Sequence, residues 1–206
     1  MPCLTWMLLQ KPSKDYSPMP KYRKPQGRSV RPTFFVFCEG ETEEEYVSFL
    51  RSHFRVPIEI DASVSGLGLT KEHIERYKRG KTTMAKDRNF LIFDLDRPEI
   101  LQRLEAIPDA TIIATNPCFE LWYLLHYTAR RTALTSEDCI KKLLKANPKY
   151  KKGHIDKTLR EILAEKMDTA TERAAALTTH GNPSTDIPQF IAALEEQEQQ
   201  RNTSQR

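Results

Sequence analysis

The chain has 206 residues, 39% of them hydrophobic, which suits one domain, or one domain with a helical appendage, and excludes global disorder. No apolar run approaches the length of a membrane-spanning helix, and residues 1–10 lack the basic start, long apolar middle and small-residue cleavage site of a secretory signal. The net charge of +4 is unevenly placed: residues 1–31 carry Lys11, Lys14, Lys21, Arg23, Lys24, Arg28 and Arg31 against Asp15 alone, so the remainder nets −2.

That leader also holds Pro2, Pro12, Pro18, Pro20 and Pro25 and is expected to be disordered. It could contact phosphate backbones, or simply solubilise the chain. Residues 33–38 then form a continuous apolar, β-branched and aromatic run, the pattern of a buried strand. The acidic stretch after it has capping-box spacing between Thr42 and Glu45, which predicts a helix start. Tyr46, Phe49, Leu50, His53 and Phe54 share one face of that helix, and Pro57 stops it. Ile58, Ile60, Ala62 and Val64 alternate with polar residues, as in a strand nearer an edge. Gly66 and Gly68 make a loop, and a polar helix with Ile74 and Tyr77 runs from Thr70 to Gly80. Residues 89–93 are a second short apolar run bounded by charges, hence another strand covered on both faces. A helix follows Pro98, and residues 111–114 form the fourth strand, leading to the apolar helix of Phe119, Leu121, Trp122, Leu124 and Leu125. From Thr135 only helices are expected, at about 137–146, 155–166, 168–178 and 186–197, with Ser184 and Asp186 as possible N-caps. The chain should fray after Glu195.

Alternating strand and helix predict an α/β fold: a four-stranded, mainly parallel sheet flanked by helices, with a C-terminal helical subdomain. The division is a leader over 1–31, a core over 32–130, a helical portion over 131–197 and a flexible tail over 198–206. The cysteines, Cys3, Cys38, Cys118 and Cys139, show neither zinc spacing nor a disulfide framework, which reads as reduced thiols in a cytoplasm. Cys38 and Cys118 are expected to be small buried hydrophobes.

Three strand ends carry polar groups that do not belong in a core: Glu39, the Asp94/Asp96 pair and Asn116. Each follows an apolar run, so all should emerge on one rim, beyond the carboxyl ends of the strands where α/β sheets bind ligands. Residues two apart on an extended chain point the same way, so Asp94 and Asp96 can converge and suit a hard cation such as Mg²⁺. Glu39 could serve as general acid or base, or as a metal ligand. The alternative for Asp96 is to cap the helix begun by Pro98. Glu43, one turn into its helix, can still face the rim. Glu120 sits in an apolar helix and needs a partner, either at the site or in an ion pair with an arginine. His126 reads as a satisfied core or rim histidine, and His53, His73, His154 and His180 show no ligand spacing. Neither a Gly-x-Ser-x-Gly elbow nor a phosphate-cradling Gly-x-x-x-x-Gly-Lys loop is present.

Glu39-Gly40 with Glu43 four positions on, and Asp94-Leu95-Asp96 after a later strand, resemble the Toprim fold of topoisomerases, primases, recombination proteins and OLD-family nucleases. More narrowly, Phe37-Cys38-Glu39-Gly40-Glu41-Thr42-Glu43, Phe93-Asp94-Leu95-Asp96, the segment from Asn116 to His126, Tyr150-Lys151-Lys152-Gly153 and Asn182-Pro183-Ser184-Thr185 together resemble the RloB family, which is associated with restriction-modification loci and antiphage defence. The resemblance implies Mg²⁺, or Mn²⁺, held by Asp94 and Asp96, with Glu39 bridging metal or moving a proton, and Glu43 and Glu120 as further catalytic candidates. It also implies a phosphodiester substrate, DNA or RNA, and phosphate contacts from Lys151, Lys152 and Arg173. A partner defence protein such as an ATPase, and an oligomer, fit the same picture. The rival expectations are a non-catalytic nucleic-acid or partner-binding subunit, and a metal enzyme acting on a nucleotide or pyrophosphate.

Overall fold

The computed structural model describes residues 31–63, 68–95 and 97–204, so expectations placed on the leader, Val64, Gly66 and Asp96 lie outside the described residues. The first strand, β1 (Phe34–Cys38), is buried at all five positions. Phe34, Val36 and Cys38 enter one apolar cluster and Phe35 and Phe37 enter another, so helices must cover both faces. Helix α1 (Glu41–Phe54) returns the chain to β2 (Ile58–Asp61), which pairs in parallel with β1. Helix α2 (Lys71–Lys78) then crosses to the other flank of β1, where β3 (Arg88–Asp94) pairs in parallel. Helix α3 (Pro98–Glu105) leads on to β4 (Ala110–Asn116), parallel to β3.

The sheet has five strands in the order β2-β1-β3-β4-β5, not the four expected. The addition is β5 (Ser184–Thr185), antiparallel to β4. Two polar residues carry no apolar alternation, so nothing local marks them as a strand. Their pairing is tertiary: Thr115 and Thr185 join their hydroxyls at 2.9 Å, and Asp186 Oδ2 accepts the Ala114 amide at 3.3 Å. Asp186 and Ser184 therefore both serve the sheet edge.

Helices α4 (Glu120–Tyr127), α5 (Ser136–Ala146), α6 (Lys157–Glu165), α7 (Met167–Ala175) and α8 (Ile187–Ser204) complete the chain. With α1 they build the larger apolar cluster, around Trp122, Tyr46 and Phe190, while α2 and α3 cover the opposite face of the sheet. Residues 31–206 form one compact unit. Instead of fraying after Glu195, α8 continues to Ser204. Gln197 Nε2 donates to the Pro32 carbonyl at 2.6 Å and Arg201 Nη1 to that of Phe54 at 3.4 Å, offsetting the entropy of ordering the tail. Strand β2 stops at Asp61 because the Asp61 carboxylate takes the amide and hydroxyl of Ser63, at 3.0 and 2.6 Å, and turns the chain. Among the described residues, no helix is long and apolar enough to cross a membrane.

One topological fact places the site. From β1 the chain leaves toward one flank of the sheet, and from β3 toward the other. Strand order therefore reverses between β1 and β3, and their carboxyl ends flank a crevice.

Candidate active site

Glu39 follows β1 and Asp94 ends β3, so these two acids stand on either side of that crevice. Glu39 Oε2 accepts the backbone amide of Asp94 at 3.3 Å. Two of the three expected rim positions thus meet directly. Asn116 ends β4 on the same rim, where it pairs with Ser184 of β5.

Behind Glu39 lies a second, drier pair of carboxyls. Glu43 is 5% exposed and Glu120 2%, on the first turns of α1 and α4. The carboxyl of Glu43 is pushed up to about 7, chiefly by burial, with repulsion from Glu120 and Glu39 adding to it. Its backbone amide and Lys152 pull the other way. The partner of Glu120 is a tyrosine: Tyr150 donates its hydroxyl to Glu120 Oε1 at 2.9 Å. Burial and that neighbouring carboxylate push the Tyr150 phenol above its usual range and keep it a donor.

The expected capping box does not form. The N-cap of α1 is Gly40, in extended backbone that any residue adopts, and Thr42 and Glu45 lie inside the helix. Thr42, buried, instead accepts the Gly153 amide on its hydroxyl at 3.2 Å, while its carbonyl takes the Tyr123 hydroxyl at 3.4 Å. Gly153 has φ +67, and a Cβ there would stand 2.9 Å from Glu41 Cβ, so only glycine lets the 150–153 turn sit this close to α1. That docking brings Lys152 to Glu43. Lys151 is exposed in a bridge to His154. Arg173 sits at the other end of α4 from Glu120, where its Nη1 donates to the Leu125 carbonyl at 2.6 Å and satisfies a helix C-terminus.

Sequence reasoning missed Tyr150 and Thr42 as the groups that tie Glu120 and the basic turn to the site. The contacts span 30 and 111 residues, and no local pattern signals them. Cys38, Cys118 and Cys139 are buried free thiols. The Cys38 thiol is raised by burial and by Glu43, Glu44 and Asp61, which leaves it an inert packing group.

A family model described as RloB-like protein matches residues 34–194, more than three quarters of the chain. The chain belongs to the RloB family. No curated protein and no solved structure matches it. The matched span of this RloB-family chain opens with β1 and closes within α8, so it takes in Glu39, Asp94, Glu120 and the turn that bears Lys152.

The donors at the crevice are all carboxylate oxygens, the type a hard divalent cation selects. Glu120 and Glu39 add a smaller repulsion to the burial that raises the Glu43 carboxyl, and a cation beside them would relieve that part. Among the described residues, no three His, Cys, Asp or Glu side chains form a group that could hold a metal ion. Asp96, the third acid expected at this rim, lies outside the described residues.

Proposed function

We propose that this RloB-family chain is a metal-dependent nuclease of Toprim type that hydrolyses phosphodiester bonds of DNA or RNA in antiphage defence. The observation that carries the reading is the meeting of Glu39 with Asp94 across the crevice where strand order reverses. A glutamate after the first strand facing an aspartate at the end of a neighbouring parallel strand is the pattern expected of a Toprim-like core. Glu39, Asp94 and Asp96 would hold Mg²⁺ or Mn²⁺, and such a cation stabilises charge on phosphoryl oxygens and activates water.

The remaining work falls to this chain's own side chains. Glu43 is buried beside the rim and keeps its proton close to neutral pH, which suits a group that gives or takes one during hydrolysis. Tyr150 orients Glu120, which in turn raises Glu43. Lys152, held over Glu43 by the Gly153 contact, and Lys151 offer charge to a phosphate. A partner defence protein such as an ATPase and a cytoplasmic setting complete the proposal.

The test is incubation with labelled DNA, messenger RNA and transfer RNA, each with and without Mg²⁺ or Mn²⁺. Cleavage of one substrate that needs the metal, lost in Glu39→Ala and Asp96→Ala proteins of unchanged circular dichroism, is the expected result. Cleavage that both variants retain would defeat the reading. Turnover of free nucleotides alone would move the substrate to a nucleotide or pyrophosphate, and metal-independent, salt-sensitive binding without turnover would make the chain a binding subunit.

A further inference from the structure

The rim continues past Glu39 onto β2, where the proposed chemistry uses nothing. Asp61 ends β2 in register with Phe37, which is two residues before Glu39 on the neighbouring strand. Ordinary strand spacing and rise then put the two Cα atoms about 8 Å apart. Asp61 is joined at 2.7 Å to His73 Nε2, and the other ring nitrogen, Nδ1, lies 2.9 Å from Arg76 Nη2. Arginine can only donate, so Nδ1 is the acceptor and Nε2–H donates to Asp61. The hydrogen-bond directions leave one tautomer.

The base of this relay is firmly held. The side chains of Asp61 and His73 are only 8% and 13% exposed, and the ring of Phe37 stands edge-on to His73. Burial pushes the Asp61 carboxyl up, yet hydrogen bonds from Ser63 and His73 hold it below its usual range. Arg76 at the far end is exposed. One face of its guanidinium is spent on His73, and the fork retains further N–H donors for solvent or a ligand. A carboxylate and an imidazole that orient an exposed guanidinium in this way resemble the supporting partners of a ligand-holding side chain.

We propose that Arg76 is a phosphate-binding residue of this protein, positioned by His73 and Asp61, and that it grips a nucleic-acid backbone on the β2 side of the rim. The inference rests on the proposed function only in taking the ligand to be a phosphodiester chain. With Arg76 beside the end of β2 and Lys152 near Glu43, the strand would cross the carboxyl ends of β2, β1 and β3. Arg76 would then hold a phosphate neighbouring the scissile one. Asp61 and His73 would be positioning residues, touching no substrate.

The test is fluorescence anisotropy with a short labelled single-stranded oligonucleotide, one arm DNA and one RNA, in EDTA across a salt series. Without divalent metal no cleavage interferes, so the result is separate from the nuclease reading. Arg76→Ala is expected to weaken binding about fivefold or more at low salt and to reduce the slope of log K against log salt by about 0.7, the loss of one phosphate contact on a single strand. His73→Ala should weaken binding in the same direction, and Arg76→Lys should recover the slope without the full affinity, since lysine lacks the fork. Arg79→Ala, three residues on at the C-cap of α2 and outside the relay, should change little.

Unchanged affinity and slope in Arg76→Ala would overturn the proposal, as would an equal loss from Arg79→Ala, which would reduce the effect to general surface charge. Full binding by His73→Ala, beside weakened Arg76→Ala, would overturn the relay. Failure of the wild-type chain to bind either oligonucleotide in EDTA would sink this inference and leave the nuclease reading to its own metal-dependent test. Binding that responds as expected but leads to no cleavage when metal is restored would sink the nuclease reading alone.

Discussion

Glu43 lies almost fully buried between Glu120 and Glu39, with its carboxyl pushed up to about 7, mainly by that burial. Because the folded value exceeds the ordinary one of 4.5, the folded chain prefers the protonated form. Stability from this group is whole below pH 4.5 and is lost as pH rises through 7, by at most about 3 kcal/mol. Glu43→Gln keeps the shape and removes the titration. Urea unfolding at several pH values should find that variant more stable than the parent above pH 7 and equal to it below 4.5. His126 has the opposite sign. It is wholly buried with Nδ1–H donating to the Trp122 carbonyl at 2.9 Å, and burial pulls its pKa from 6.5 to about 4. Its contribution is whole above pH 6.5 and is lost as pH falls through 4. Imidazole nitrogen shifts in NMR should accordingly show a neutral ring until pH approaches 4. Tyr150→Phe leaves the buried Glu120 without its donor, at a cost of about 1–3 kcal/mol readable as a lower denaturation midpoint. The acids Glu39 and Asp94 were legible because each interrupts an apolar run at a strand end. Tyr150, Asp61 and His73 were not, since their meaning arises only when residues 12 or 30 apart come into hydrogen-bond contact.

At the level of elements, the strands with apolar runs declared themselves: β1 and β3 are buried on both faces, as their unbroken hydrophobic stretches required. Strand β5 and the end of α8 did not, because both are made of polar residues whose stability comes from partners elsewhere. Thr185 joins Thr115, and Arg201 reaches the last turn of α1. Removing residues 197–206 deletes the Gln197 and Arg201 anchors and should lower the thermal midpoint measured by circular dichroism, whereas a frayed tail would leave it unmoved. The turn over 150–153 is the element through which the C-terminal half reaches the rim, and Gly153 is its hinge point on α1. Gly153→Ala adds a methyl 2.9 Å from Glu41 Cβ at a φ of +67. That costs about 1 kcal/mol or more and should move the turn off α1. Lys152 would then withdraw from Glu43, and the Glu43 carboxyl, followed by carbon NMR, should titrate higher than in the parent.

Across the whole molecule, a sheet whose order reverses between β1 and β3 leaves a crevice at its carboxyl edge, and the buried Glu43 and Glu120 lie behind it. Two layers result: Glu39 and Asp94 at the mouth, and Glu43 and Glu120 behind them, with Lys152 arriving from the 150–153 turn. Alternating strand and helix made this α/β plan legible in the sequence, and the fifth strand alters the sheet's edge without moving the crevice. The central claim is that carboxylates from two separate strands grip a divalent ion. It is tested most directly by titrating Mn²⁺ into wild-type, Glu39→Gln and Asp94→Asn proteins and following the free ion by electron paramagnetic resonance. Saturable binding by the wild type, weakened tenfold or more in both variants while their thermal transitions stay intact, is the expected result. Equal binding by all three, or none by the wild type, would contradict it.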